Sequence, residues 1–456
     1  MVALLCSGLV WPSRARAASD LYAFGWNGVG QVGNGTGVNA STAVAVLLGD
    51  RPAGVWWSRV SGGGSHSLAL GSDGWIYAWG SNAAGQLGDG TADNRTRPVA
   101  VAPGAVPAGV TFTRVSAGGQ HSLALGTDGN VYAWGANPAG QLGDGTTLDR
   151  AVPVAVALGG IPSGVTVTQV HAGWDHSVAL GSDGTVYAWG SNAQGQLGDG
   201  TAFGRQQPVA VQVGSVRFQS IAAGRFHTVG IGTDGRAHAW GGNVFGQLGD
   251  GSMVSQVSPV EVARGALPVG VTFSSVAAGW VHSVARGSDG KAYAWGGNMS
   301  GQLGNGSNDT QSNPVAVLGI PSGVNVAAVA ANGSFSLALG SDGVVYAWGS
   351  NDTGQLGDGT ILSRTVAVAS ARGAIRPEVA VESVAAGSQH ALVLADGPPP
   401  LLPPVVVNGR LDVVYGDAVN AAVSASGTGI VEYGAVGLPA GLVLDATTGT
   451  LGGVAG

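Results

Sequence analysis

The stretch that decides the fold is His121-Ser-Leu-Ala-Leu-Gly-Thr-Asp-Gly-Asn-Val-Tyr-Ala-Trp-Gly135. Its first part, His121–Leu125, has the alternating pattern of a β-strand. The segment Thr127–Asn130 contains Asp-Gly, which supplies the positive φ that a tight hairpin turn needs. Val131–Trp134 then returns as the partner strand, so the stretch predicts a β-hairpin.

The hairpin recurs along the chain at a spacing of 51 to 55 residues. Its aromatic tetrad, mostly Tyr-Ala-Trp-Gly, begins at seven positions: Tyr22, Tyr77, Tyr132, Tyr187, His238, Tyr293 and Tyr346. Each tetrad is followed by Asn-x-x-Gly-Gln-Leu/Val-Gly-Asp/Asn-Gly, as at Asn82–Gly90. Six tetrads are preceded by Ala-Gly-x-x-His-Ser-Leu-Ala-Leu or a variant, with the histidine slot filled by His66, His121, His176, His227, His282 and Phe335.

Two further apolar segments complete the repeat. We expect Pro153–Val156 and Val165–Val170 to supply two more strands of the next unit. Four antiparallel strands make one propeller blade, and a blade cannot bury both of its faces alone, so blades must stack. The sequence therefore predicts an all-β, seven-bladed β-propeller.

The two ends of the array predict how the ring closes. The first tetrad, at Tyr22, has no histidine motif before it, whereas the last histidine motif, at His390, has no tetrad after it. We expect Val381–Leu394 to pair with Leu21–Phe24 and to complete the last blade from both chain ends. Such pairing removes the open edge between the first and last blades.

Composition excludes several classes of protein. Gly accounts for 82 of 456 residues, and charged residues are only 10%, which suits short strands joined by tight turns. The net charge is −7 and no run of Lys or Arg occurs, so no nucleic-acid partner is expected. Cys6 is the only cysteine, which leaves neither a disulfide framework nor a thiolate metal site.

The segments outside the array predict three further regions. Residues 1–17 combine an apolar run with Ala15-Arg16-Ala17 and are interpreted as a signal peptide, the alternative being an uncleaved N-terminus. Residues 18–397 form the propeller, and residues 398–404 form a stiff, Pro-rich linker. Residues 405–456 are too few for a whole β-sandwich and are interpreted as a partial one. No membrane span is expected.

Residues 20–395 resemble the regulator of chromosome condensation repeat family in all three of their sequence blocks. The resemblance implies a seven-bladed propeller. The founding member of that family is a nuclear exchange factor for a small GTPase, and the family also includes secreted bacterial propellers that cover the active site of β-lactamases with one face. Gly437–Asp445, followed by Thr448-Gly-Thr-Leu-Gly-Gly, resembles immunoglobulin-like modules of bacterial surface proteins.

Catalytic and metal-binding interpretations find little support in the motifs. Each recurring histidine belongs to a different blade, so we expect a structural histidine that bonds within its own blade. Asp175-His176-Ser177 contains the residue types of a catalytic triad, but neighbours on a strand point to opposite faces. The Gly-Asp-Gly-Thr loops lack the acidic spacing of calcium loops. No catalytic, cofactor or metal residues are therefore assigned.

The candidate site lies where the repeat is broken. The two x positions of Ala-Gly-x-x-His are small or polar in several blades but become Trp174-Asp175, Arg225-Phe226 and Trp280-Val281 in three successive copies. The hairpin geometry places the Asn-x-x-Gly loops, with Phe245 and Met299, at the same end of the blade. Such residues are typical of protein-binding hot spots. The alternative is that some of them pack between loops as local core.

The leading hypothesis is a secreted or surface-exposed, monomeric scaffold that binds a protein through one propeller face, with a glycan as the less favoured ligand. The candidate binding residues are Trp174, Arg225, Phe226, Phe245, Trp280 and Met299. The first alternative is a guanine-nucleotide exchange factor. The second is a hydrolase such as a glycosidase, which would need clustered carboxylates that the motifs do not provide.

Overall fold

The computed structural model describes residues 19–377 and 379–396, together with three short strands nearer the C-terminus. In the first two ranges, 28 β-strands and no helix are present. These strands form seven antiparallel sheets of four strands each, which confirms the all-β, seven-bladed propeller. Blades 1 to 6 each use four consecutive strands from β3 to β26, and blade 7 combines strands from both ends of the array.

Each blade runs outward from the central axis, and the innermost strands of successive blades lie beside one another. The innermost strands of blades 1 to 7 are β3 (Trp57–Gly62), β7 (Phe112–Ala117), β11 (Val167–Ala172), β15 (Phe218–Ala223), β19 (Phe273–Ala278), β23 (Val326–Asn332) and β27 (Ala380–Ala386). The second strands are β4 (His66–Gly71), β8 (His121–Gly126), β12 (His176–Gly181), β16 (His227–Gly232), β20 (His282–Gly287), β24 (Phe335–Gly340) and β28 (His390–Asp396).

The two outer positions of each blade hold the tetrad strand and a more exposed edge strand. The tetrad strands of blades 1 to 7 are β5 (Ile76–Gly80), β9 (Val131–Gly135), β13 (Val186–Gly190), β17 (Ala237–Gly241), β21 (Ala292–Gly296), β25 (Val345–Gly349) and β1 (Ser19–Gly25). The edge strands are β6 (Arg95–Ala100), β10 (Arg150–Ala155), β14 (Arg205–Ala210), β18 (Gln256–Glu261), β22 (Gln311–Ala316), β26 (Arg364–Ala369) and β2 (Ala40–Ala45).

One strand assignment made from the sequence was wrong. Pro153–Val156 was expected to open the next unit, but its residues in β10 pair with β9 of the same blade, with Val154 opposite Ala133. Only β11 begins the next blade. The reason is that the Asn-x-x-Gly loop folds the chain back onto the edge it has just left, so the fourth strand closes its own sheet.

The predicted closure of the ring is confirmed. Blade 7 has the order β2-β1-β28-β27, and β1 pairs antiparallel with β28 over its whole length. Leu21 lies opposite Leu394, and Phe24 lies opposite Ala391. Two strands from each end of the repeat array therefore build one blade. This shared blade closes the ring, so no open edge remains between the first and last blades.

The structure describes only short segments of the regions outside the propeller. Residues 1–17 and 398–404, interpreted as signal peptide and linker, lie outside the described residues. Within 405–456 the structure describes β29 (Ala421–Ala422), β30 (Leu442–Leu444) and β31 (Thr450–Gly453), which form an antiparallel sheet with β31 in the centre. The partial immunoglobulin-like sandwich stays a prediction.

The tetrad tryptophans hold neighbouring blades together. The indole N–H of Trp134 donates a hydrogen bond to the backbone carbonyl of Gln86 in the preceding blade, at 2.9 Å. The hydroxyl of Ser122 donates to the same carbonyl at 2.8 Å. Trp79 and Trp134 are fully buried between blades. The boundary between blades 1 and 2 thus combines a large apolar contact with hydrogen-bonded polar groups, and the indoles of Trp79, Trp189, Trp295 and Trp348 make the same bond at four other boundaries.

The recurring histidines are fully buried. Each of them was expected from the sequence to bond within its own blade, and this expectation was wrong, because their side chains bond across the blade boundary. In six cases the imidazole Nε2 atom lies 2.8 to 3.0 Å from a Ser or Thr hydroxyl of the next blade. The pairs are His66–Ser122, His121–Ser177, His176–Thr228, His227–Ser283, His282–Ser336 and His390–Ser67. The side chain reaches the next blade because a glycine, such as Gly118 before His121, leaves room beside the imidazole.

Candidate functional site

The register of each hairpin defines two ends of the propeller. In blade 3, His176 lies opposite Gly190, and Leu180 lies opposite Val186 beside the Asp-Gly turn. The Ala-Gly-x-x-His loops and the Asn-x-x-Gly loops therefore share one end, which we call the loop face. The Asp-Gly turns occupy the opposite end, which we call the turn face.

A ring of backbone hydrogen bonds surrounds the axis on the loop face. At six blade boundaries, the N–H of the first x residue in Ala-Gly-x-x-His donates to a carbonyl of the next blade, over 2.9 to 3.3 Å. The donors and acceptors are Gly64 to Gly118, Gly119 to Gly173, Trp174 to Gly224, Arg225 to Gly279, Trp280 to Gly333 and Ser388 to Gly63. This ring brings side chains that lie about fifty residues apart in the sequence to the mouth of one channel.

Four of the six predicted site residues form one cluster at this mouth. The rings of Trp174 and Trp280 have centroids 5.5 Å apart and meet edge to face, at 88°. The Arg225 guanidinium carbon lies 4.9 Å from the Trp174 ring, 5.1 Å from the Trp280 ring and 4.9 Å from the Phe226 ring. All four side chains are partly buried. Stacking of this kind holds the cation by cation–π attraction, worth about 0.5–2 kcal/mol for each favourable ring.

This channel-mouth cluster contains two buried hydrogen-bond donors that are unpaired among the described residues, and one nearby carboxyl group. The Nε atom of Arg225 and the indole Nε1 atom of Trp280 are both buried, and neither has a hydrogen-bond partner among the described residues. Asp175 lies close enough to Arg225 for their charges to interact, but their side chains do not form a hydrogen bond with each other. Burial raises the pKa of Asp175, and the positive charge of Arg225 opposes that rise.

Phe245 and Met299 lie on the loop face but outside the cluster. They occupy Asn-x-x-Gly loops of blades 4 and 5, where Phe245 is 38% exposed and Met299 is 79% exposed. Val244, beside Phe245, is also exposed. The structure therefore divides the predicted residues into a packed central cluster from blades 3, 4 and 5 and a more exposed apolar patch on blades 4 and 5.

Asn332 is a residue of the channel mouth that sequence reasoning missed. It replaces the glycine of Ala-Gly-x-x-His in blade 6, and its Nδ2 atom lies 3.4 Å from the Gly62 carbonyl and 3.3 Å from the Ala386 carbonyl. Its side chain thus joins blade 6 to blades 7 and 1. The signal in the sequence was the departure of Asn332-Gly333 from the Ala-Gly-x-x pattern.

A second missed feature is an outer ring of apolar side chains on the loop face. Eleven residues after the loop asparagine, five blades carry a side chain that is 62 to 75% exposed. These residues are Val38, Leu148, Phe203, Val254 and Leu362. The asparagine fixes this position through the backbone, as where Asn192 Nδ2 donates to the carbonyl of Phe203 at 3.0 Å. Alignment of the repeats on the asparagine would have shown the pattern.

Metal-binding clusters and membrane-spanning helices are both absent from the part of the chain that the structure describes. No group of three His, Cys, Asp or Glu side chains lies close enough together there to hold a metal ion. Nor does that part contain a helix long and apolar enough to cross a membrane.

The fold and the site define the class of protein. It is a seven-bladed propeller built from tandem repeats, with the repeated loops gathered on one face. The chain belongs to the RCC1-like domain family, whose model matches residues 19–393. It is 32% identical to the ultraviolet-B receptor UVR8 of Arabidopsis thaliana over 326 residues, which cover 69% of this chain and 72% of the receptor. It is 29% identical to the regulator of chromosome condensation of Xenopus laevis over 377 residues, covering 76% of this chain and 83% of that protein.

A solved structure shows the same fold. Yeast RCC1 (Prp20), crystallised with Kap60, superposes with a TM-score of 0.73 at 23% identity. The match covers 84% of this chain and 91% of the yeast chain.

Proposed function

We propose that this protein is a secreted or surface-exposed scaffold that binds a protein through its loop face. The observation that carries the proposal is the channel-mouth cluster around Arg225, flanked by the exposed apolar side chains of Phe245 and Met299. The blade does not need large side chains at the positions of Trp174, Arg225 and Trp280, because Gly64 and Ser388 occupy the equivalent positions in other blades. Aromatic and Arg side chains gathered at the centre of one face, together with exposed Phe and Met side chains on the same face, are typical of protein-binding hot spots.

The relatives support a binding role for the propeller. The yeast structure contains RCC1 (Prp20) bound to Kap60, and a second structure of Prp20p is described together with its binding to Gsp1p and histones. These partners belong to the yeast protein. They support the class of function proposed here, whereas the partner of this chain must be found by experiment.

The test compares one substitution on each face. Phe245→Asp changes an exposed residue of the loop face, and Trp75→Asp changes a similarly exposed residue, 39% against 38%, on the turn face. Full-length protein and both variants are used as bait, with chemical cross-linking and mass spectrometry. We expect a partner that Trp75→Asp retains and Phe245→Asp loses, with cross-links to blades 4 and 5. A partner lost only with Trp75→Asp would contradict the proposed face, and binding of glycans alone would contradict a protein ligand.

The extracellular location is tested separately. Because Ala15-Arg16-Ala17 follows an apolar run, we expect the mature protein to begin near Ala18. N-terminal sequencing of protein isolated from its native host checks this. A chain that retains Met1 inside the cell would contradict export by this route and would leave the binding proposal standing.

Nucleotide exchange is a second candidate function, favoured by the similarity to the Xenopus regulator over 83% of that protein's length. An exchange factor would accelerate the release of labelled GDP from a small GTPase in the presence of excess nucleotide. Acceleration that Phe245→Asp abolishes would assign the loop face to exchange. No acceleration across small GTPases of the host would exclude this candidate.

A further inference from the structure

We propose that the channel mouth binds an acidic side chain of the protein partner, with one carboxylate oxygen accepting hydrogen bonds from Arg225 Nε and Trp280 Nε1. This inference rests on the proposed function, because it names the chemistry that the loop face recognises. Its first support is the pair of donors, both buried and both without a partner among the described residues. Buried donors are ordinarily satisfied, so an unpaired pair at a channel mouth points to a missing acceptor.

The space available fits one oxygen atom. A small cavity of about 20 Å³ lies at the mouth, and Arg225, Trp174, Trp280 and Asn332 contribute to its walls with the surrounding loop glycines. That volume is enough for one water-sized group. One carboxylate oxygen can enter while the rest of the acidic side chain stays outside, taking the place that water can fill in the free protein.

The charge favours a carboxylate over a neutral acceptor. Arg225 carries a full positive charge held by three aromatic rings, which supply attraction without accepting a hydrogen bond in the plane of the guanidinium. Burial raises the pKa of the nearby Asp175 carboxyl, and the positive charge of Arg225 opposes that rise. A charge-assisted bond from an arginine to a carboxylate is stronger than one to an amide or to water.

The surroundings predict the sequence context of the acidic residue. Phe245, Met299 and the outer apolar residue Val254 are exposed on the same blades 4 and 5. A partner segment that places its carboxylate at the axis would lay neighbouring side chains over these residues. We therefore expect an Asp or Glu flanked by aliphatic or aromatic residues.

In the experiment, peptides are displayed with both of their ends fused to a carrier protein, and those that bind the full-length protein are selected. Selected sequences are then synthesised with blocked ends, so that only side chains carry carboxylates. We expect an acidic residue at one position, and its change to Gln or Asn to lower affinity about tenfold or more. In Arg225→Gln the acidic peptide should lose the same factor while its Gln counterpart changes little. Arg236→Gln, which removes an exposed turn-face arginine, is the matched control.

The contact at Trp280 is observed directly by NMR, through the resonance of its indole N–H. This resonance is assigned by its disappearance in Trp280→Phe. It should shift on addition of the acidic peptide and stay in place with the Gln counterpart. Trp280→Phe keeps the ring but removes the donor, so we expect about a threefold loss of affinity for the acidic peptide.

Peptides that bind the loop face, are lost in Phe245→Asp and show no acidic preference would overturn this inference and leave the proposed function intact. The cavity would then hold water only. An acidic preference that persists unchanged in Arg225→Gln would overturn it equally. A selection that yields no peptide sensitive to Phe245→Asp would count against both the inference and the proposed face.

Discussion

Phe335 and Ala391 replace together, at the boundary between blades 6 and 7, the histidine and the hydroxyl residue that bond at the six other boundaries. Both residues are fully buried in the same apolar cluster. Phe335 has no donor and Ala391 has no acceptor in its side chain, so neither residue leaves a polar group unpaired. At this position the ring therefore has six polar contacts and one apolar contact between neighbouring blades.

This pairing predicts that the two positions are energetically coupled. At the boundary of blades 5 and 6, we expect His282→Phe alone to destabilise the protein by about 1–3 kcal/mol. The hydroxyl of Ser336 would lose its hydrogen bond to the imidazole and keep only the one that it donates to the Gln302 carbonyl, and the larger ring must fit. Adding Ser336→Ala should recover part of that loss, with a coupling of at least about 0.5 kcal/mol. Urea unfolding of both single variants and the double variant measures this, and strictly additive effects would contradict it.

The buried histidines predict a loss of stability in mild acid. Burial lowers the pKa of His66, His121, His227 and His282 to about 3, and that of His176 and His390 to about 4. In the unfolded chain these groups titrate near 6.5, so below that pH the unfolded state binds protons that the folded state does not. The free energy of unfolding should therefore be constant above about pH 6.5 and should fall by about 1.4 kcal/mol per pH unit for each histidine as the pH drops towards 4.

Unfolding by urea at pH 7.5, 6.0 and 5.0 checks the pH dependence. The double variant His282→Phe with Ser336→Ala serves as its control, because it should have a slope lower by the contribution of one histidine. Stability that stays flat down to pH 5 would show that the histidines are not held neutral.

Closure of the ring predicts unequal effects of two deletions. Removal of residues 20–25 takes β1 out of the middle of blade 7, where Leu21, Tyr22 and Phe24 are buried. Each such side chain contributes about 1.5–3 kcal/mol, so we expect a loss of roughly 5 kcal/mol or more. Removal of residues 405–456 should alter the melting temperature much less, because β28 already ends at Asp396. Calorimetry of both proteins checks this, and equal effects would contradict it.

Asn332 predicts a modest contribution from a single side chain at the channel mouth. Asn332→Ala removes the donor to the Gly62 and Ala386 carbonyls, which links blade 6 to blades 7 and 1. We expect a loss of about 1 kcal/mol in the free energy of unfolding. Asn308→Ala, at an exposed loop position of blade 5, should stay within about 0.5 kcal/mol of the parent protein. A loss no larger than that of the control would show that the two long hydrogen bonds contribute little.

The sequence by itself determined the features that depend on neighbouring residues. Asp-Gly turns fixed each hairpin, because a tight turn needs positive φ, and the repeat of the hairpin set the number of blades. The half units at Tyr22 and His390 were enough to predict that β1 pairs with β28. The same hairpin register predicts that Trp174 and Phe245 lie at one end of the propeller.

Only the tertiary structure decided what happens between blades. The sequence could not show that His176 bonds to Thr228, because that contact depends on how closely two sheets pack and not on the pattern within either. For the same reason it could not show that Arg225 lies between Trp174 and Trp280. Local periodicity in the sequence predicts which strands pair. The side chains at the axis meet only when seven sheets close into a ring and bring residues from different blades within contact distance.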